Sequence, residues 1–532
     1  MYLRAAEAVY YMYFAVMTLA KGLGLYDGMW PYTAALCIGA VLVIVKLALT
    51  EQTLAEWIYT IAMICLGVVI WRNSDQTGAL IYITMIVAMK NVPVKRLFSI
   101  GLVIWGTTFI ALTILTITGL KSDIFMVHEK LGLGFIIRWS LGQPHPNVLQ
   151  ITFLIICAFI LYLANWKGKK LICATLIMLA ANLYIFFYSI SYTGLILVFI
   201  YLFANLYLSL RKELSRLERV LVNLVFPACA AFAVLGPVVF KGKLWELCDK
   251  ALNTRFNIAK HHLTLDPISL FGARPSEAVP SALHNIDSSY VFVLMRYGLV
   301  LFVLLCVGYM ALIRHCEKEK KYKELAIIIG LAVAAIAEPF FVNPSFKNIS
   351  LLFLGEFIFR KFGEFAERKP DHILNRKWIL CRFGEKEIAF PVGTIVWLKK
   401  CYLHSVKKYR KLIAAVMLGV GILAGAVFSV TADMPSKYYA LRSSTQVVEK
   451  EWIYLDIENL PEDFEGKILN YKDAETPMQV FEGNITKMEY ARGIVSSGLW
   501  CGVFAGVLIS AIMTLQYWKK SIQSDDKSKK QH

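Results

Sequence analysis

Stretches of roughly 18 or more mostly apolar residues recur from one end of this chain to the other, each long enough as a helix to cross the hydrocarbon core of a bilayer. Lipid offers a backbone no hydrogen-bond partner, so such blocks can only be helices that satisfy their own N–H and C=O groups. Of the 532 residues 58% are hydrophobic and 18% charged, too apolar for soluble domains of that combined length. About fourteen spans are predicted, near residues 5–23, 31–49, 54–71, 77–91, 98–118, 147–164, 170–188, 192–210, 220–240, 289–312, 324–341, 348–360, 412–431 and 493–517. The fold class is therefore an all-α polytopic membrane protein. The N-terminal apolar run has no small-residue cleavage site after it and reads as a first helix, not a removed signal.

The formal charge of +18 raises the question of nucleic acid, and the placement of the charges answers it. Lys90, Lys95 and Arg96, then Lys167, Lys169 and Lys170, then Arg211, Lys212, Arg216 and Arg219, then Arg314, Lys318, Lys320, Lys321 and Lys323 fill alternate loops. That is the bias of cytoplasmic loops, and no aromatic-basic module points to nucleic acid. The rule places both termini in the cytoplasm and leaves segments 119–146, 241–288, 342–347 and 432–492 outside.

The organisation read from these patterns is a membrane domain over 1–360 with external loops 119–146 and 241–288, and a basic cytoplasmic segment over 361–411. A C-terminal hairpin over 412–517 encloses an extracytoplasmic domain at 432–492, and a cytoplasmic tail covers 518–532. In the basic segment, RKWILCRFGEKEIAFPVGTIVWLKK has the texture of a short strand pair or of a headgroup-bound stretch. Segment 432–492 is acidic, and WIYLDIENL and GKILNYKD alternate as strands do, which predicts a small β-rich insertion.

Ionisable groups inside the spans are few: Arg296, Glu338 and Glu356. Arg296 and Glu338 fall on consecutive predicted spans near the external face, and mutual pairing would lower the cost of both charges. The polar chemistry lies in two external stretches, RWSLGQPHPN from Arg138 to Asn147 and the loop from Asn253 to Gly298. The second offers Arg255 and Arg274 as fixed cations, and His261, His262, His284, Asp266 and Asp287 as proton acceptors. Such an inventory suits a phosphate-bearing substrate: a guanidinium fork holds a leaving pyrophosphate while a base takes the proton of an attacking hydroxyl. Adjacent histidines point apart on a helix, there is no HExxH, and no DxD stands in an external membrane-proximal loop, so no metal or cofactor is expected.

Residues 80–360 resemble the O-antigen ligase and polymerase superfamily, most closely the polymerases of surface-polysaccharide pathways. RWSLGQPHPN is similar to its Arg, Gly, His-Pro-Asn helix entry, and NTRFNIA followed by SLFGA to its arginine-aromatic stretch and Phe-Gly pair. IDSSYVFVLMRYGLVLF resembles its Asp, small residue, Tyr, then Gly entry, and AEPFFVNPSFKN its Glu, Asn, Phe, Asn element. Two departures stand out. Ligases carry His with Asn, Ser or Gln, nine residues, then Gly, whereas here Asp287 and Ser288 hold that place before Gly298 and His284 sits too early. Many relatives start a helix with Ser-Arg-Thr-Gly, where this chain has SYTG from Ser191 to Gly194.

The resemblance implies a glycosyltransferase of the bacterial cytoplasmic membrane that polymerises undecaprenyl-pyrophosphate-linked repeat units on its outer face. Its partners would be that lipid-linked glycan, the lipid bilayer, a flippase and a chain-length regulator. It implies Asp287, His284 and Arg255 as catalytic residues, with Asp287 ahead of His284 as base, and Arg138, Arg274, His145 and Glu338 as substrate-binding residues. His145, between Pro144 and Pro146, equally suits a helix cap. A ligase of the same superfamily and a lipid-linked oligosaccharide flippase are the alternative readings.

Overall fold

A computed structural model describes residues 2–130, 134–381, 384, 386–389, 393–440, 453–469 and 475–529. The chain divides into two compact units, one of residues 2–124 with 140–388, the other of residues 125–139 with 389–532 and Met1.

Among the described residues, ten helices are long and apolar enough to cross a membrane, and the protein is a polytopic, largely helical membrane protein. Eight belong to the larger unit: Trp30–Leu49, Leu54–Ser74, Val94–Ile117, Pro146–Leu163, Lys169–Ser189, Tyr192–Leu210, Arg216–Val239 and Leu299–Lys318. Their outward residues, such as Ile44, Val103, Ile177 and Leu235, are exposed apolar side chains, as a lipid-facing surface requires.

Four of the fourteen predicted blocks form helices outside that set. Ala5–Gly22 is tyrosine-rich, Gly78–Val87 has 10 residues, Tyr322–Ala334 has 13, and Ser350–Arg368 is charged over its second half. A 13-residue helix is about 20 Å long, well short of the apolar core. Parts of these helices lie deep in the protein: Leu325, Ile328, Ala334, Leu351 and Leu352 are fully enclosed. The predicted span 289–312 is also interrupted, since Ser289–Phe292 runs into a π-helical turn, Val293–Tyr297, and stops at Gly298. Gly298 has φ +89°, and a Cβ there would lie 2.5 Å from the Gly272 N and Leu270 O, so the loop packs where only glycine fits.

Between Tyr322–Ala334 and Ser350–Arg368 the backbone is irregular, a conformation that survives in a membrane protein only when enclosed by protein that satisfies it. Groups from other parts of the chain, and one side chain of the stretch itself, do so. Tyr297 donates to the Val342 carbonyl (3.0 Å), Tyr32 to that of Pro344 (3.3 Å), and Asn348 to that of Phe341 (2.9 Å). Phe341 N–H donates to Ser289 Oγ (3.1 Å), Asn348 N–H to Tyr82 Oη (3.2 Å), and Ser289 N–H to the Ala335 carbonyl (2.9 Å).

In the smaller unit, Phe125–Lys130 and Gly134–Trp139 form an antiparallel hairpin. A four-stranded sheet runs in the order Ile453–Asp456, Glu475–Glu482, Lys437–Ala440, Lys467–Ile468, with the last pair parallel. Ile137 of the hairpin packs with Tyr438, Ala440, Phe481 and Ile485. The helices Gly393–Thr431 and Asn484–Lys529 pack through glycines: a Cβ on Gly421 would lie 2.8 Å from the Gly498 carbonyl and one on Gly502 2.5 Å from that of Met417. The first of these helices starts inside the stretch predicted as the basic segment 361–411. From that segment Lys377–Trp378 pairs with Gln52–Thr53 and not within the segment itself, while residues 382–383, 385 and 390–392 lie outside the described residues.

Candidate functional site

The predicted external loop 241–288 contains the helices Gly242–Ala251 and Arg255–Leu265. Asn253 and Thr254 both adopt positive φ, which turns the chain sharply and makes Arg255 the first residue of its helix. The next residue, Phe256, is buried against Phe232 of the Arg216–Val239 helix and against Phe240, which caps that helix, ring centroids 5.2 and 6.2 Å away. It fills a notch at Gly236, where a Cβ would come within 2.9 Å of the ring. The aromatic of the NTRF motif thus seats the arginine.

Arg255 is buried, and its guanidinium meets groups from three parts of the chain. Nε lies 3.2 Å from Asp287 Oδ2, Nη2 lies 3.5 Å from Glu338 Oε1, and Nη1 donates to the Leu252 carbonyl at 3.2 Å. Glu338 is buried at the point where the Tyr322–Ala334 helix has given way to irregular backbone, and its carbonyl accepts from Ser289 Oγ. Asp287 is partly open to solvent. Burial raises its carboxyl above the ordinary carboxylate range, and the opposing pull of Arg255 does not cancel that.

A second polar cluster pins the loop. His262 and Asp266, one turn apart on the Arg255–Leu265 helix, are joined by a 2.8 Å bond from Nδ1 to Oδ2, and His262 Nε2 lies 2.9 Å from the Leu283 carbonyl. Asp266 accepts from the Ser276 N–H (3.0 Å) and lies 3.6 Å from Arg296 Nη1. Burial works to raise the Asp266 carboxyl, but hydrogen bonds from Ser276 and His262 outweigh it and hold the group below its usual value. The expected pairing of Arg296 with Glu338 is therefore not made: each charge takes a different loop partner, Arg296 with Asp266 and Glu338 with Arg255.

The remaining predicted residues are dispersed. His284 Nε2 is 2.9 Å from the Val279 carbonyl, a bond within its own loop. Arg274 pairs at 2.6 Å with Asp75 at the end of the Leu54–Ser74 helix, both well exposed, so its fork is engaged at the surface and not with Asp287 or Glu338. His145 caps the Pro146–Leu163 helix, its Nδ1 accepting from Asn147 N–H at 2.9 Å. Arg138 is buried on the strand Gly134–Trp139, which belongs to the other unit. His261 bonds the Asn257 carbonyl at 2.8 Å within its helix.

Sequence reasoning passed over Lys347, a half-buried lysine in the irregular stretch. Burial lowers its ammonium to about 8, with the negative charge of Glu338 opposing. Its place in AEPFFVNPSFKN was the available signal, a basic residue inside a motif read only for its Glu and Asn residues. No family model, curated protein or solved structure matches the chain.

Proposed function

We propose that the protein is a membrane glycosyltransferase that extends a surface polysaccharide by joining undecaprenyl-pyrophosphate-linked repeat units on the outer face of the cytoplasmic membrane. The observation that carries this reading is the convergence on Arg255 of Asp287 and Glu338, residues of three separate superfamily-like motifs. The acceptor hydroxyl attacks the anomeric carbon of the donor glycan, the bond from that carbon to the pyrophosphate oxygen breaks, and Asp287 takes the hydroxyl proton. Polyprenyl pyrophosphate leaves with the bonding pair. A carboxylate raised by burial is a better proton acceptor than a free one, and Arg255 orients it. Positive-inside bias supports the external placement of this loop and of segment 432–492.

The test is to delete the gene and measure lipid-linked glycan by size and sidedness. Single repeat units accumulating outside are the expected result. Single units trapped inside indicate a flippase, and long lipid-linked polymer indicates a ligase; either outcome overturns the polymerase reading.

A further inference from the structure

The Arg255–Leu265 helix meets the returning end of its own loop at successive points. Arg255 Nε lies 3.2 Å from Asp287 Oδ2, Ala259 and Ile286 are buried in one cluster with Val291, Leu294 and Met295, and His262 Nε2 lies 2.9 Å from the Leu283 carbonyl oxygen. Positions 255, 259 and 262 share one face of the helix, and Asp266 ends it. Arg296 closes the far end. It is buried in the π-helical turn Val293–Tyr297 and reaches both ends of the loop, with Nη1 3.6 Å from Asp266 Oδ2 and Nη2 donating to the His284 carbonyl at 3.4 Å.

These contacts fix where the protons of His262 lie. Its Nδ1 is 2.8 Å from Asp266 Oδ2 and its Nε2 faces the Leu283 carbonyl, and a carboxylate and a carbonyl only accept. Asp266 is a carboxylate: burial works to raise it, but hydrogen bonds from Ser276 and His262 hold it below its usual value. Both ring nitrogens therefore donate, which makes the ring an imidazolium. Asp266 and the C-terminal end of the helix favour that charge, while Arg296, whose Nη2 stands 3.4 Å from Nδ1, opposes it and shares the same carboxylate. His284 turns its carbonyl to Arg296 and bonds the Val279 carbonyl through Nε2. The Arg216–Val239 helix has no charged residue beyond Arg219, and Asp249 of Gly242–Ala251 accepts from Asn257 N–H near the other end.

We propose that the imidazolium of His262 and the guanidinium of Arg296 are a positioning pair, which clamps segment 267–283 through Asp266, Leu283 and His284 and so sets Asp287 against Arg255. Neither touches the reacting atoms. Loss of the second ring proton removes one donor, so the bond to Asp266 or to Leu283 is given up and the returning end of the loop is released with Asp287. The clamp stands on the geometry; its effect on turnover rests on the glycosyltransferase reading.

The experiment uses the full-length protein in nanodiscs. Nitrogen NMR of histidine-labelled protein, with the His262 signal assigned by its loss in His262→Gln, reads the ring protons, and amide hydrogen exchange reads the loop. Both His262 nitrogens are expected to carry hydrogen at pH about 6, and protection of residues 267–286 should fall with rising pH in step with the loss of one of them. Arg296→Met, and His262→Gln with one donor nitrogen in place of two, should speed exchange there by about tenfold or more while the Arg216–Val239 helix exchanges as before; Arg296→Lys should recover part of the protection. In transfer assays Arg296→Met and His262→Gln should lower kcat by about tenfold or more and leave KM within about twofold. A single N–H on His262 in a protected loop, or unchanged exchange in folded Arg296→Met, overturns the clamp. If Arg296→Met also loosens the Arg216–Val239 helix, Arg296→Lys and the pH titration of the unsubstituted protein decide. A raised KM with unchanged kcat overturns the positioning role, because the pair then contacts substrate. A closed, doubly protonated clamp in a protein that transfers no sugar leaves the clamp standing and removes only the glycosyltransferase reading.

Discussion

At the scale of single residues the site depends on which charge is left over. Arg255 and Glu338 are both buried, so removing one partner strands the other. Arg255→Met should lower stability by on the order of 3 kcal/mol, and Arg255→Met combined with Glu338→Leu should recover much of that loss, because a buried pair costs more to break than to replace. Thermal unfolding in detergent measures the cycle; strictly additive losses would mean that the two side chains are not coupled. Asp287 makes a different prediction. Its carboxyl is raised by burial and lowered in part by Arg255, and only the ionised form accepts a proton. Transfer should therefore fall as pH drops through a value above the ordinary carboxylate pKa of about 3.9, and Arg255→Gln should move that acid limb upward. Asp287→Asn should remove turnover while the protein remains folded, whereas His284→Gln, which breaks only the bond to the Val279 carbonyl, should reduce turnover less. A dead His284→Gln beside an active Asp287→Asn would reverse the assignment.

Among the elements, the decisive ones are those that stop early. The Tyr322–Ala334 helix ends where Glu338 is needed, and the next fifteen residues or so are held by Tyr32, Tyr297, Tyr309, Ser289 and Asn348 in place of a helical ladder. Asn348→Ala withdraws the donor to the Phe341 carbonyl and should cost about 1–3 kcal/mol. Gly298→Ala must place a Cβ against Gly272 and Leu270 at positive φ, and should destabilise by more than about 1 kcal/mol. Both effects appear as lowered unfolding temperatures, and Gly298→Ala should also impair transfer, because the loop packed on Gly298 continues to His284 and Asp287. An unchanged melting temperature for either variant would mean that the break is not built as described.

For the whole molecule, the division into two units changes how the accessory region should be removed. The acidic insertion is predicted to tune product length without doing chemistry, since no site residue but Arg138 lies in its unit. Truncation after Ile388 alone would strip Ile137 of its partners Tyr438, Phe481 and Ile485. Replacing 125–139 by a short linker in the same variant should leave transfer measurable with a shifted length distribution. A stable protein of that design without any transfer would place Arg138 back in the site. The two sides of the membrane are tested by labelling: an impermeant maleimide on intact cells should modify a Cys248-only variant and not a Cys381-only one, following the charge bias of their loops.

The long spans were legible because helix formation in lipid is a local matter of length and apolarity, properties that a stretch such as Trp30–Leu49 carries within itself. The external polar loop and its inventory were legible for a related reason: His262, Asp266 and Asp287 cannot lie in lipid unpaired, and they stood together in sequence. Partner choice was not. Arg255 and Glu338 are 83 residues apart, and whether Glu338 met Arg296 or Arg255 depended on how the Arg255–Leu265 helix docks through Phe256 against Gly236. The short blocks at 324–341 and 348–360 read as spans because their composition is apolar. Only the packed bundle, by supplying tyrosine and serine bonds from distant parts of the chain, allowed the backbone between them to leave the helix and bring Glu338 to Arg255.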